Sequence, residues 1–131
     1  MAGLGPDPLR AGAAAREQAA HRLAGARGVV GAALLDQSIW AGIGNGWRAE
    51  LLFLTGIDPR RRVDEAEAGE LWDLACHHLA LAVEAGQLVS DASAPDERWV
   101  YKRKTCRRCD APVRSWTLAG RTAWMCPVEQ H

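Results

Sequence analysis

The sequence predicts a mainly α-helical domain followed by a small β-hairpin finger pinned by cysteines. Three observations carry that expectation. Residues 9–85 alternate between apolar stretches of helical length and breaks rich in Gly or Pro, with Ala and Leu dominant. Residues 91–97, DASAPDE, have the composition of a linker. Beyond them Cys106, Cys109 and Cys126 are set as C-x2-C, sixteen residues, then a third thiol, among strand-like runs. The expected domains are therefore residues 1–90, helical, and residues 98–131, the finger.

The elements follow in order. Residues 1–8, MAGLGPDP, form an extended lead-in without the character of a targeting segment. Residues 9–25 carry Leu9, Arg16, Glu17 and Leu23 among alanines and predict a helix that Gly25 and Gly28 interrupt. Residues 29–40, VVGAALLDQSIW, predict a short buried helix, and the glycine-dense AGIGNG that follows is a turn. Asn45 is the expected cap of a helix running to Thr55, with Trp47, Leu51 and Leu54 as its apolar stripe. Gly56 stops it and Pro59 prevents its continuation. Asp64 is the expected cap of a last helix through Ala85, with Leu71, Leu74, Ala75, Leu79, Ala82 and Val83 on one side. In the finger, RWVYKRK is strand-like, and VRSWTL and RTAWMC flank the turn Ala119–Gly120 as a hairpin.

The cysteines carry the strongest local chemistry. A tight C-x2-C turn presents two thiolates to one ion, and Cys126–Pro127 suits the opposing turn, so the expected cofactor is zinc. Three thiols without metal are the bland alternative. The fourth corner is open between Glu129, which holds the C-x2 register, and His131, chemically the better donor at C-x4-H; the expected set is Cys106, Cys109, Cys126 and His131. Cys76 lies in a helical stretch and is expected to be a buried free thiol.

A net charge of zero conceals a division. Residues 1–97 hold eight Lys/Arg against fourteen Asp/Glu, a net of −6, and residues 98–131 hold eight against two, a net of +6. A basic finger points to a polyanion partner. No apolar run approaches the ~20 residues that a membrane helix requires. Paired thiols in such a chain fit a soluble protein of a reducing compartment.

The second candidate is the glycine turn AGIGNGW, because free amides at a helix N-terminus can bind phosphate. A plain turn and cap is its bland equivalent. Asp73 and His77, four apart, fit a surface ion pair, and His78 a satisfied core histidine. Trp40, Trp47 and Trp72 occupy core-like positions, and Trp99, Trp116 and Trp124 are expected inside the finger.

Together these residues resemble the C-terminal half of the formamidopyrimidine-DNA glycosylase / endonuclease VIII family of bacterial base-excision repair enzymes. LLDQSIWAGIGNGWRAELLFLTGIDP, residues 34–59, is similar to the family's helix-two-turn-helix signature, and GPDPL to its lead-in. VYKRKTCRRCDAPV and AGRTAWMCPVEQ look like its zinc finger, which normally closes CPxCQ. The resemblance implies that Asn45 and Arg121 clamp phosphates beside a damaged nucleotide in duplex DNA, with Lys102, Arg103 and Arg107 adding less specific attraction. Glu50 matches an acidic position of the family, for which an exposed or capping carboxylate is the expectation. It also implies a cytoplasmic, nucleoid-associated protein.

The departures bear on catalysis. The family's chemistry uses an opening Pro-Glu, whereas this chain begins Met-Ala-Gly, and Ala2 would offer only an ordinary amine. The expectation is therefore a DNA-binding portion of a glycosylase/AP lyase, separated from its catalytic half, with no catalytic residue of its own. A stand-alone damaged-DNA-binding module and a zinc-ribbon protein-interaction domain are the alternatives.

Overall fold

The structure is a computed structural model and describes residues 3–131; Met1 and Ala2, including the amine considered above, lie outside the described residues. Five helices are followed by one antiparallel hairpin: α1 (Pro8–Ala11), α2 (Arg16–Ala24), α3 (Val30–Ala33), α4 (Asn45–Thr55), α5 (Glu65–Ala85), β1 (Arg114–Leu118) and β2 (Arg121–Met125). The mainly helical architecture with a small hairpin finger is as expected. No helix among the described residues is long and apolar enough to cross a membrane.

The longest helix matches its sequence signals at both ends. Asp64 accepts from the Glu67 amide, Glu67 answers at the Asp64 amide, and Gly86 closes the helix in the left-handed region at φ 71°. The stretch 9–25 is broken rather than continuous. Gly12, at φ 57°, ends α1 and opens a 3-10 turn, and its carbonyl accepts from the Trp72 indole at 2.9 Å. A tertiary bond from α5 thus overrides alanine's helix propensity. Residues 29–40 keep only the four-residue α3, because the Asp36 side chain takes the Ser38 amide at 2.9 Å and turns the chain. Trp40 is then buried, edge-on to Trp72 with centroids 5.1 Å apart, its indole donating to the Ala19 carbonyl.

Helix α4 departs from an amphipathic pattern, since every residue from Arg48 to Phe53 is buried. Leu51 and Leu52 enter the helical core with Leu34, Trp40, Leu71 and Trp72. Ala49 and Phe53 enter a second core with Val100, Cys106 and Cys126. The helix therefore lies between two cores, a placement that its own periodicity does not record.

RWVYKRK is not a strand. It turns around the carboxylate of Glu50, which has no exposed surface and accepts the amides of Trp99 at 2.8 Å, Val100 at 3.0 Å and Tyr101 at 3.2 Å, together with the Ser90 hydroxyl. A carboxylate that saturates three successive amides removes any need for a partner strand. Glu50 is thus neither exposed nor a helix cap: from the middle of α4 it binds the amides of a loop. The linker is also folded back: Gln87 donates to Asp96, and Asp91 and Glu97 reach Arg107.

These contacts set two expectations for stability. Glu50→Ala strands three amides and should cost about 3 kcal/mol or more in urea unfolding, whereas a change below about 1 kcal/mol would deny Glu50 its central place. Glu67, hydrogen-bonded by Arg61, titrates below its ordinary 4.5, so its contribution is complete above that value and is lost as pH falls through the lowered pKa. Glu67→Gln retains a capping amide and should flatten the acid limb of stability; an unchanged limb would count against the pair.

Candidate functional site

The first turn of α4 and the tip of the hairpin form one seam. The N-cap of α4 is Gly44, not Asn45, and no side chain caps the helix. Its first ladder bond runs from the Arg48 amide to the Gly44 carbonyl, which leaves the amides of residues 45–47 without helical acceptors. Asn45 does not cap because its Nδ2 donates 2.9 Å to the carbonyl of Thr122 in β2. An amide nitrogen carries two hydrogens, so that bond engages only one.

Arg48, one turn along, is buried at 1% exposure and fixes the same hairpin. Its Nη1 donates to Leu118 O at 2.8 Å and Gly31 O at 2.9 Å, and its Nη2 to Arg121 O at 3.1 Å. Burial pushes the guanidinium down to about 10, and the neighbouring charge of Arg121 adds to the effect. Arg48 remains charged at neutral pH, and its field disfavours a second cation beside it. Arg121 itself is exposed and joins no ion pair among the described residues, so an anion arriving there relieves that repulsion. Close approach at the seam needs Gly31, where a Cβ would stand 2.8 Å from the Pro59 carbonyl and 2.6 Å from Leu118.

The other basic residues differ in availability. Lys102 is exposed, in the left-handed region at φ 57°, with Nζ 5.3 Å from the centre of the Tyr101 ring. Arg103 donates to the Thr105 carbonyl at 3.0 Å and lies 4.0 Å from Glu97. Arg107 is held within the protein: it donates to Asp91 at 3.0 Å, lies 3.8 Å from Glu97 and covers the Trp99 ring at 4.4 Å. Asp73 pairs with Arg16 at 2.9 Å rather than with His77. His78 is buried with Nδ1 3.0 Å from the Val89 carbonyl, as a satisfied core histidine should be, and burial lowers its pKa. Cys76 is half-buried, not fully enclosed.

The three thiols of the finger converge. The sulfurs of Cys106, Cys109 and Cys126 lie within 4.8 Å of one another, and Cys109 and Cys126 are 3.5 Å apart. Ligands about 2.3 Å from a tetrahedral ion lie roughly 3.8 Å from each other, so this donor set fits a metal. Cys106 and Cys126 are buried and Cys109 is exposed. Burial pushes the Cys126 thiol up to about 11 against the amides of Glu129 and Val128, while the Ala111 amide leads in holding Cys109 below its ordinary value. The amides aimed at sulfur are the protein's own support for thiolates. His131 lies outside this cluster: its amide donates to Gly56 O at 2.9 Å, and its carbonyl accepts from Asp58 N at 3.1 Å and Arg61 Nε at 2.8 Å.

Two positioning residues carry weak signals in the sequence. Arg48 interrupts an apolar run one turn after Asn45, which could have marked it. Gln130, buried at 2% exposure, accepts from the Cys126 amide and donates to the Ile57 carbonyl, each at 2.9 Å. Nothing periodic announces that bond, and only the resemblance to a closing CPxCQ singles Gln130 out.

Comparison with known proteins places the fold in a family. The family model described as the formamidopyrimidine-DNA glycosylase H2TH domain matches residues 4–93. Endonuclease 8 1 of Mycobacterium tuberculosis is 34% identical over 146 residues, covering 99% of this chain and 54% of that protein. The formamidopyrimidine-DNA glycosylase of a Synechococcus strain is 36% identical over 138 residues, covering 95% and 49%. Among solved structures, Lactococcus lactis formamidopyrimidine-DNA glycosylase bound non-covalently to DNA containing an AP site superposes with a TM-score of 0.81 at 27% identity, covering 98% of this chain and 50% of that one. The MutM (Fpg) protein of Thermus thermophilus gives 0.80 at 32% identity, covering 98% and 54%. The chain belongs to the formamidopyrimidine-DNA glycosylase / endonuclease VIII family through its H2TH domain. It spans about half the length of the curated relatives it matches.

The thiol cluster predicts one tightly held metal ion per chain, measurable by elemental analysis and lost in Cys106→Ser. A strong chelator should abolish the near-ultraviolet signal of Trp99 and Trp124, which pack against the cysteine-bearing core, and leave most helical signal intact. Parallel loss of both signals would show that the helical core depends on the ion as well.

Proposed function

We propose that this chain is the DNA-gripping portion of a base-excision-repair glycosylase/AP lyase, holding the sugar–phosphate backbone around a damaged or abasic nucleotide in the bacterial nucleoid. One observation carries the proposal: the uncapped start of α4, Asn45 and Arg121 meet at a single seam. Open amides and the positive end of the helix dipole attract a phosphate, the Asn45 amide offers a further hydrogen, and Arg121 contributes an unpaired charge. The structure of the Lactococcus protein with DNA containing an AP site supports the same class of ligand for this chain.

The remaining residues take graded parts. Lys102 lends long-range attraction, Arg103 less, and Arg107 mainly holds the acidic linker against the finger. The ion proposed for the thiol cluster is zinc, with Cys106, Cys109 and Cys126 as ligands. Bound there, it supplies a structural cross-link that fixes the finger, and with it Arg121, against α4. Contacts of this kind position a bent backbone and carry no base sequence information. Catalysis is assigned to no residue of this chain.

Fluorescence anisotropy with a duplex bearing a tetrahydrofuran abasic analogue tests the proposal. Asn45→Ala and Arg121→Ala should each weaken binding about tenfold, and Arg121→Ala should reduce the slope of log K against log salt by about 1. Affinities within about twofold of the parent for both variants would refute the clamp.

A further inference from the structure

The metal cluster offers three sulfurs where a structural zinc takes four ligands, and the surrounding chain restricts the source of the fourth. The first knuckle carries Arg108, whose guanidinium covers the Phe53 ring at 4.7 Å and the Trp99 ring at 5.1 Å. Its Nη1 lies 3.5 Å from Glu129 Oε1, so the carboxylate of Glu129 stands over the same knuckle as Cys106 and Cys109. The turn from Cys126 to Glu129 is wound about sulfur, with the amides of Val128 and Glu129 on Cys126. The Gln130 amide closes that turn on the Cys126 carbonyl at 3.0 Å. Residue 129 is therefore held next to the Cys126 turn by the backbone of that turn.

His131 is held elsewhere. Three hydrogen bonds through its backbone, to Gly56, Asp58 and Arg61, fasten it to the loop after α4. The group of mutually close ligand atoms holds the three thiols alone, so the Glu129 carboxylate, like the His131 imidazole, would have to swing in to bind an ion. The backbone of His131 is thus tied to a segment other than the Cys126 turn that holds Glu129.

We propose that Glu129, and not His131, supplies the fourth ligand, completing a centre of three cysteine thiolates and one glutamate carboxylate; this rests on the metal-centre part of the proposed function. A carboxylate has two oxygens. One can bind the ion while the other keeps Arg108, which orients the ligand as a hydrogen-bonded outer partner does. Three thiolates and a carboxylate leave a divalent site with a net charge of −2, which Arg108, 3.5 Å from Glu129, partly offsets.

Competition with a chromophoric chelator and visible spectroscopy of the cobalt(II)-loaded full chain decide the matter. Glu129→Ala should weaken metal binding about tenfold or more and alter the cobalt ligand-field bands, while His131→Ala should leave affinity within about twofold and the bands unchanged. Glu129→Cys should restore tight binding with an added thiolate-to-cobalt charge-transfer band, which keeps the assignment testable if Glu129→Ala folds poorly. Unchanged affinity and bands in Glu129→Ala, or the loss falling on His131→Ala, would overturn the proposal. A parent chain that takes up no ion would overturn the metal centre itself, a distinct failure visible before any variant is made.

Discussion

The carboxylate of Glu50, with no exposed surface, receives the amides of Trp99, Val100 and Tyr101 and the hydroxyl of Ser90. Two positions earlier on the same helix, Arg48 is equally enclosed and donates to three carbonyls, two of them at the hairpin tip. Residues two apart on a helix point to nearly opposite sides. Helix α4 therefore holds the start of the finger with one face and its tip with another. Burying ions is costly unless their hydrogen-bonding capacity is filled, and here backbone groups fill most of it. The finger's own core is small, so these polar pins fix an orientation that apolar contact alone would leave loose.

The seam depends on that orientation. Arg121 and Thr122 meet the first turn of α4 because Arg48 and Asn45 hold their carbonyls. Gln130 performs the same service at the other end, tying the Cys126 turn to Ile57. The two ends of the finger are thereby fastened to the two ends of one helix. A metal in the thiol cluster would stiffen the segment between them.

Electrostatics are reshaped by folding. The +6 of residues 98–131 overstates what a polyanion would meet, because Arg107 is occupied by Asp91 and Glu97, and Arg103 and Arg108 lie near carboxylates. Within residues 98–131, the exposed cations outside such pairs are Lys102, Lys104, Arg114 and Arg121. Acidic residues of the linker thus select which cations face outward. Counting along the chain finds the sign of the field and misses its placement.

The sequence by itself determined the parts that local chemistry governs. The capping box at Asp64, the stop at Gly56 with φ 71°, the Ala119–Gly120 turn and the grouping of three thiols each rest on residues close together in the chain. Tertiary structure decided what distant partners govern. Trp72 broke the alanine-rich helix at Gly12, Thr122 drew Asn45 away from capping, Glu50 turned a strand-like segment into a loop, and the loop after α4 took the backbone of His131. Propensities and spacings express interactions within a few residues, worth about 1 kcal/mol each or less. A buried hydrogen bond to a chain segment forty to eighty positions away is worth at least as much, and no local pattern records it.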